Sequence, residues 1–496
     1  MSVIREDKDR LVMPRCLEYI TACSLGLLRI IRKKEEVPIT DVKDSNARKD
    51  WLDNPTIPTA VDLVAEALIV KDFEFRQAIE AAKYILDRAD SSSILIRQLA
   101  NHFLEQPRPY WAEPSNTLPV DARHEYISRL KKSVRMYPVN PIAWSDLALC
   151  YATLSQIDKA RMAMNVALGL IGNNRFILRA ASRCFTHMDE PDRAVAVLRR
   201  SGLCEFDPWI ASAEIAISEG FGLKSKCISK SKHMIDDDNL THFARSELTS
   251  GMATIELKSG SLKRAKKLMR KALSDPTENA LAQVEWLSNQ INEDIPEIYE
   301  LGRNVPASYE AQALDLFYNR RFKESLEASR MWGRYLYLSS RPVIQSSYVA
   351  ALPMNDDTEA IRILESCTPA QKNDPAAMNN YAFSLARSGN IQRAVEIIKK
   401  AKSYPLSERQ KFVITATEGL IAFRSDSIEK GRSLYSMAVK GFERINDLRA
   451  AAMATYFWAV EEKRIRAQTA TSIVEEAKKR ISRFNVFELE DLIKKL

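Results

Sequence analysis

The sequence predicts an all-α chain built as a stack of helical hairpins, and three observations carry that prediction. Glycine is rare, 14 in 496 residues; helices tolerate it poorly, whereas β-hairpins and phosphate loops need it. Within residues 140–170, Trp144, Leu147, Ala148 and Tyr151 share one helical face, and Ala160, Met164 and Ala167 share another past a short break. A shift of 34 residues keeps the size class at most of these places: Ala194 answers Ala160, Leu198 answers Met164 and Phe185 answers Tyr151.

The physical reason is packing. Two helices joined by a tight turn pack antiparallel only where small residues let their axes approach, and bulky residues fill the volume beside them. One such hairpin leaves a face bare, so neighbours must stack to bury it. Turn signals fall where the hairpins need them, at "LSQID" (154–158), "SGS" (259–261) and "SGN" (388–390). Asn-Pro or Asp-Pro steps at 140–141, 207–208, 275–276 and 374–375 mark hairpin boundaries.

Taken in order, residues 16–31 ("CLEYITACSLGLLRII") are apolar but interrupted by Glu18 and Arg29 and followed by Arg32, Lys33 and Lys34. The run is too short to span a bilayer and carries its charge on the wrong side for a signal peptide; an amphipathic capping or docking helix is expected, with an interfacial membrane helix as the alternative. Residues 32–59 read as an irregular connection. Residues 60–104 read as a degenerate helical region, with a hairpin at 60–86 turning near Asp72–Phe75. A Pro-rich linker (105–120) precedes a first repeat block at 121–291. A break at 292–307 separates it from a second block at 308–496. There, 309–332, 375–404 and 421–442 carry the pattern, and the charged pair 445–462 and 466–482 is expected to form a polar end cap.

The pattern resembles the tetratricopeptide repeat, a 34-residue helix–turn–helix unit. Trp144, Leu147, Ala148, Tyr151, Ala160, Met164 and Ala167 meet its positions, with Met164 in place of an aromatic and Gly172 where the family closes on proline. The best-matched copies are 141–172, 175–204, 246–276 and 375–404. The resemblance implies an α-solenoid forming a right-handed superhelix, whose first helices line a concave groove that takes extended or helical peptides. By that register the groove would present Ser145, Leu149, Thr153, Arg179, Arg183 and His187 in the first block. In the second it would present Leu314, Phe317, Tyr318, Asn379, Phe383 and Arg387. The first set suits a carboxylate-bearing segment and the second an amphipathic helix. The family's carboxylate clamp needs Lys, Asn and Arg in three successive repeats; Asn379 and Asn380 are present without the rest.

Catalytic signatures are missing from the sequence. Five histidines form no metal-ligand spacing, and there is no phosphate loop, dinucleotide fingerprint or nucleophile elbow. Seven cysteines, an odd number with no CxxC, argue against a disulfide framework or zinc site and for a reducing cytoplasm. The expectation is therefore a non-enzymatic cytoplasmic adaptor, without cofactor or metal, that binds a protein partner, as one member of a multi-protein complex or alone. Net charge is +8 from 73 basic and 65 acidic residues. Its most basic stretch, 223–271, includes Lys263, Arg264, Lys266, Lys267, Arg270 and Lys271 around one helix, and a nucleic-acid-binding array is the alternative. Self-assembly through array ends, at 1–31 or 445–496, is the third reading.

Overall fold

The computed structural model describes residues 46–69, 75–88, 94–104, 120–237, 239–291, 295, 297–305, 308–336 and 338–496. Among them every regular element is helical, and no helix is long and apolar enough to cross a membrane. The expected helix at 16–31, the turn at 72–74 and most of the Pro-rich linker lie outside the described residues.

Helices α1 (Asn46–Asp53), α2 (Ile57–Ile69), α3 (Arg76–Asp87) and α4 (Ile94–Leu104) share a small core of their own, built on Trp51, Leu63, Val64, Ala78, Ile85 and Phe103. Helix α1 falls where an irregular connection was expected. Trp51 explains it: its ring meets Tyr84 edge-on at 5.1 Å and anchors an otherwise charged stretch.

The first block runs α5 (Val120–Met136), α6 (Pro141–Thr153), α7 (Ile157–Leu170), α8 (Arg175–His187), α9 (Pro191–Arg200), α10 (Pro208–Gly220), α11 (Ile228–Ile235), α12 (His242–Lys258), α13 (Leu262–Ala272) and α14 (Glu278–Gln290). Helix α15 (Glu297–Asn304) occupies the expected break, because Ile298 gives that segment a buried anchor. The second block runs α16 (Tyr309–Tyr318), α17 (Phe322–Tyr335), α18 (Arg341–Ala351), α19 (Asp357–Ser366), the single turn α20 (Pro369–Lys372), α21 (Pro375–Arg387), α22 (Ile391–Ala401), α23 (Glu408–Arg424), α24 (Ile428–Arg444), α25 (Leu448–Arg464), α26 (Ala470–Arg483) and α27 (Glu490–Lys494).

First helices stack on one another, α6 on α8, then α10, α12, α14 and α16; the stack resumes through α18, α21, α23 and α25. Second helices lie outside them and bury only a narrow stripe. On α7 the stripe is Ala160, Ala163, Met164 and Ala167; on α13 it is Ala265, Met269 and Ala272; on α22 it is Ala394, Ile398 and Ala401. These are the small and bulky positions read from the 34-residue register. The first helices, flanked on both sides, are buried nearly all round, as in α6 and α18.

Two local devices set the register. Asn140, Asp207 and Asp374 each cap a first helix by accepting two backbone N–H bonds, with proline as the next residue. Within the hairpins one turn recurs. The second residue past the helix end takes positive φ, and the next N–H bonds back five residues, from Gln156 to Tyr151 (2.9 Å), Glu190 to Phe185 (2.9 Å), Arg321 to Leu316 (2.8 Å) and Asn390 to Leu385 (2.8 Å). Gly260 and Gly389 adopt that φ freely, whereas Ser155, Asp189, Arg320, Asn355 and Asp426 adopt it against a penalty of about 1 kcal/mol.

The final helical pair also packs inward. Helix α25 sends Met453, Tyr456 and Phe457 into the second block's core, since Phe457 meets Phe383 at 4.9 Å and Met453 meets Tyr348. The segment beyond α26 then packs against α16. The two blocks touch where Asn373 donates to Ser155 at 3.4 Å and Leu338 joins the first block's core.

Close approach has a measurable consequence at Gly431 of α24. A Cβ there would lie 2.5 Å from the buried ring of Phe423. Gly431→Ala should destabilise the chain by about 1–3 kcal/mol, read as a lowered urea midpoint at unchanged slope. Gly389→Ala, in open space but at positive φ, should cost only about 1 kcal/mol.

Candidate functional site: the inner wall of the first block

The inner wall is polar where a purely structural core would be apolar. Helix α8 carries Arg175, Arg179 and Arg183 four residues apart, hence on one stripe, and all three are buried. Arg175 Nε donates to Asp207 Oδ2 at 2.7 Å, while Oδ1 of the same carboxylate caps α10. Burial pulls the Arg175 guanidinium below its ordinary value, and Asp207 opposes that shift.

Arg179 reaches past α10 to α12, where its Nη2 donates to Glu247 at 3.0 Å. Glu247 also accepts from Asn279 Nδ2 of α14 at 2.8 Å. Gln283 of α14 donates to Thr254 of α12 at 2.8 Å. One carboxylate thus ties three first helices together across the wall.

Over these groups lies an aromatic ledge. The Trp209 indole sits 5.0 Å from the Arg179 guanidinium and 5.7 Å from that of Arg175, and the Phe243 ring leans on it at 5.5 Å. Trp209 and Phe243 are half-buried, while Phe206 and His242 beside them are exposed. The Trp209 Nε1–H is buried and has no acceptor among the described residues. An indole with two guanidiniums 5.0 and 5.7 Å from its ring and half-buried beside Phe243 presents an aromatic surface to an apolar group.

The sequence-derived groove residues divide. Arg179 and Arg183 belong to this wall, and His187 ends α8 exposed. Ser145, Leu149 and Thr153 lie fully inside α6's packing, with the Thr153 hydroxyl turned back on the Cys150 carbonyl at 2.7 Å. The second-block set does not form an open groove. Leu314 and Phe317 are buried, Phe383 is packed against Phe457, and Asn379 accepts from Thr417 at 2.8 Å. Arg387 bonds the Ala351 carbonyl at 2.9 Å and Asp357 at 3.2 Å. Tyr318 alone of that set stays 38% exposed. The reason is packing: Tyr348, Met453 and Phe457 fill the space beside Phe317 and Phe383.

On α13, Ala265, Met269 and Ala272 face inward, while Lys263, Arg264, Lys267 and Arg270 are exposed. The face is partly neutralised, by Lys271 on Asp236 (2.7 Å) and Arg264 on Glu256 (3.5 Å). The Lys271 ammonium holds the Asp236 carboxyl below its usual range. Among the described residues no group of His, Cys, Asp and Glu is placed to hold a metal ion.

The chain is an array of stacked helical hairpins whose small and bulky packing positions follow the 34-residue register. No family model matches it, and no curated protein does either. Three solved structures of similar overall form are yeast Tom70, the APC/C hetero-tetramer Cut9–Hcn1 and the human IFIT1 dimer with PPP-AAAA. Yeast Tom70 has TM-score 0.33 and 11% identity, over 88% of this chain and 98% of that one. Cut9–Hcn1 has TM-score 0.29 and 12% identity, over 92% and 99%. IFIT1 has TM-score 0.34 and 12% identity, over 90% and 95%. Likeness of this degree assigns no function.

Arg175, Trp209, Phe243 and Glu247 were not among the residues singled out from sequence; the four-residue arginine spacing on α8 was the available signal. Because Glu247 joins three helices from a buried position, Glu247→Ala should lower unfolding stability by about 3–5 kcal/mol. Glu247→Gln, which keeps an acceptor, should lose less; chemical denaturation of the two variants checks both.

Proposed function

We propose that the chain is a non-enzymatic scaffold that holds a segment of another protein against the ledge of Trp209 and Phe243. The observation that carries this reading is the half-buried pair of Trp209 and Phe243, with the Arg175 and Arg179 guanidiniums against the indole. Buried ion pairs such as Arg175–Asp207 and Arg179–Glu247 contribute little net stability, so hydrophobic replacements would serve a merely structural wall as well. Their rigid placement of an aromatic surface supports a recognition role instead. The segment that fits is extended, with an apolar side chain against the two rings. A reducing cytoplasm is the setting we favour, because the five described cysteines are buried as free thiols.

The test is affinity capture of the tagged chain from its own cells at low and moderate salt, reading both protein and nucleic acid. The expected result is one protein recovered stoichiometrically at both salts. Trp209→Ala, which removes the ring from the ledge, should weaken that association about 10-fold or more. Nucleic acid retained only at low salt, with no protein, would refute the proposal.

A further inference from the structure

The segment that follows α26 behaves as a bound peptide would. Asn485 turns the chain at φ 48°, and the next residues, Val486-Phe487-Glu488-Leu489-Glu490, cross to helices far away in sequence. Each of the last four is received by different groups. Phe487 enters a cup of Phe317 (5.3 Å), Tyr318 (6.3 Å) and Phe322 (6.5 Å, stacked), with the Arg320 and Arg449 guanidiniums 5.6 and 5.1 Å from its ring.

Glu488 is 3% exposed. Its carboxylate accepts from the Tyr348 hydroxyl at 2.7 Å and pairs with Arg449. Leu489 is fully buried. Glu490 takes Arg320 with both oxygens, at 2.7 and 3.2 Å. The receiving groups come from the α16–α17 turn, α18 and α25. Arg320 sits at the positive-φ place in its turn, which points its guanidinium away from its own hairpin toward the segment.

We propose that this seat is a peptide-binding site specific for the pattern aromatic–Glu–Leu–acidic. Residues 486–490 occupy it in cis, and a partner protein presenting such a segment exchanges with them. The reading is independent of the Trp209 ledge. Its specificity follows from the pairs: a ring for the aromatic cup, a carboxylate small enough to meet Tyr348 and Arg449 together, a buried aliphatic group, and a second carboxylate for Arg320. A basic or β-branched residue in place of Glu488 would leave Arg449 and Tyr348 without their acceptor. The tethered segment competes at an effective concentration on the order of millimolar, so a free peptide meets a mostly filled site.

The test uses the full chain and a fluorescent peptide of residues 484–496, read by anisotropy. Full-length chain carrying Phe487→Ala and Glu488→Gln should bind the peptide about 30-fold or more tighter than the wild-type chain does. The same peptide with Glu488→Lys should not bind. A variant that keeps its helix content and cooperative melt, yet binds the peptide no better than wild type, overturns the proposal. Binding seen only when the chain dimerises overturns it too, by making a second copy the occupant. If the variant does not fold, hydrogen exchange on the wild-type chain decides. Amides of 486–490 should open at least about 10-fold more often than those of α25, and equal protection overturns exchange.

Discussion

One hydrogen bond, repeated, organises the molecule. In hairpin after hairpin the N–H three residues past the helix end returns to a carbonyl five residues back, as in Gln156 to Tyr151 and Asn390 to Leu385. That bond requires positive φ at the residue between, and it fixes the direction in which the second helix leaves. With the direction fixed, the axes meet where alanine or glycine stands, and the bulky residues can only pack between hairpins. Side chains then refine a stack whose course the turns already determine. The strained Ser155, Asp189 and Arg320 show that the geometry is held even where glycine is not available.

The two blocks use the same frame for different interiors. In the first, the inward positions of α8, α12 and α14 hold Arg179 and Asn279 linked through Glu247, and Gln283 bonded to Thr254. In the second, the corresponding space holds Phe317, Tyr348, Phe383, Met453 and Phe457. Charged groups keep their distance because each needs a partner and a fixed orientation; aromatic groups close up to exclude water. The first wall therefore keeps polar groups in fixed pairs, while the second interior is filled by the chain's own apolar side chains.

Much of the fold was legible in the sequence because packing distance imposes it locally. The pairs Ala160 and Met164, Ala265 and Met269, and Ala394 and Ile398 reported helix crossings, and the Asn-Pro and Asp-Pro steps reported first-helix caps at 140, 207 and 374. Helices α1 and α15 were not legible, since each rests on one anchor, Trp51 or Ile298, in a charged or Pro-flanked stretch. The candidate site was half legible. Arg179 and Arg183 follow from helical spacing, but their meeting with Trp209 and Glu247 depends on how three hairpins rotate about one another. The register assigned Phe317 and Phe383 to an open groove. It carries no information on what packs beside them, and that decides whether a groove stays open.

The closure of the second block also bears on how the chain is made. An open solenoid gains its contacts from near neighbours and can grow hairpin by hairpin. Here Tyr348 waits for Met453 and Glu488, and Arg320 waits for Glu490, 170 residues further on. The aromatic cup on α16 and α17 is thus built early in synthesis and filled late. Folding of this half is governed by loop closure over long spans, which is slow compared with local helix pairing. During that interval the nascent chain carries an unfilled apolar seat, and a chaperone that shields it would have one definite place to bind.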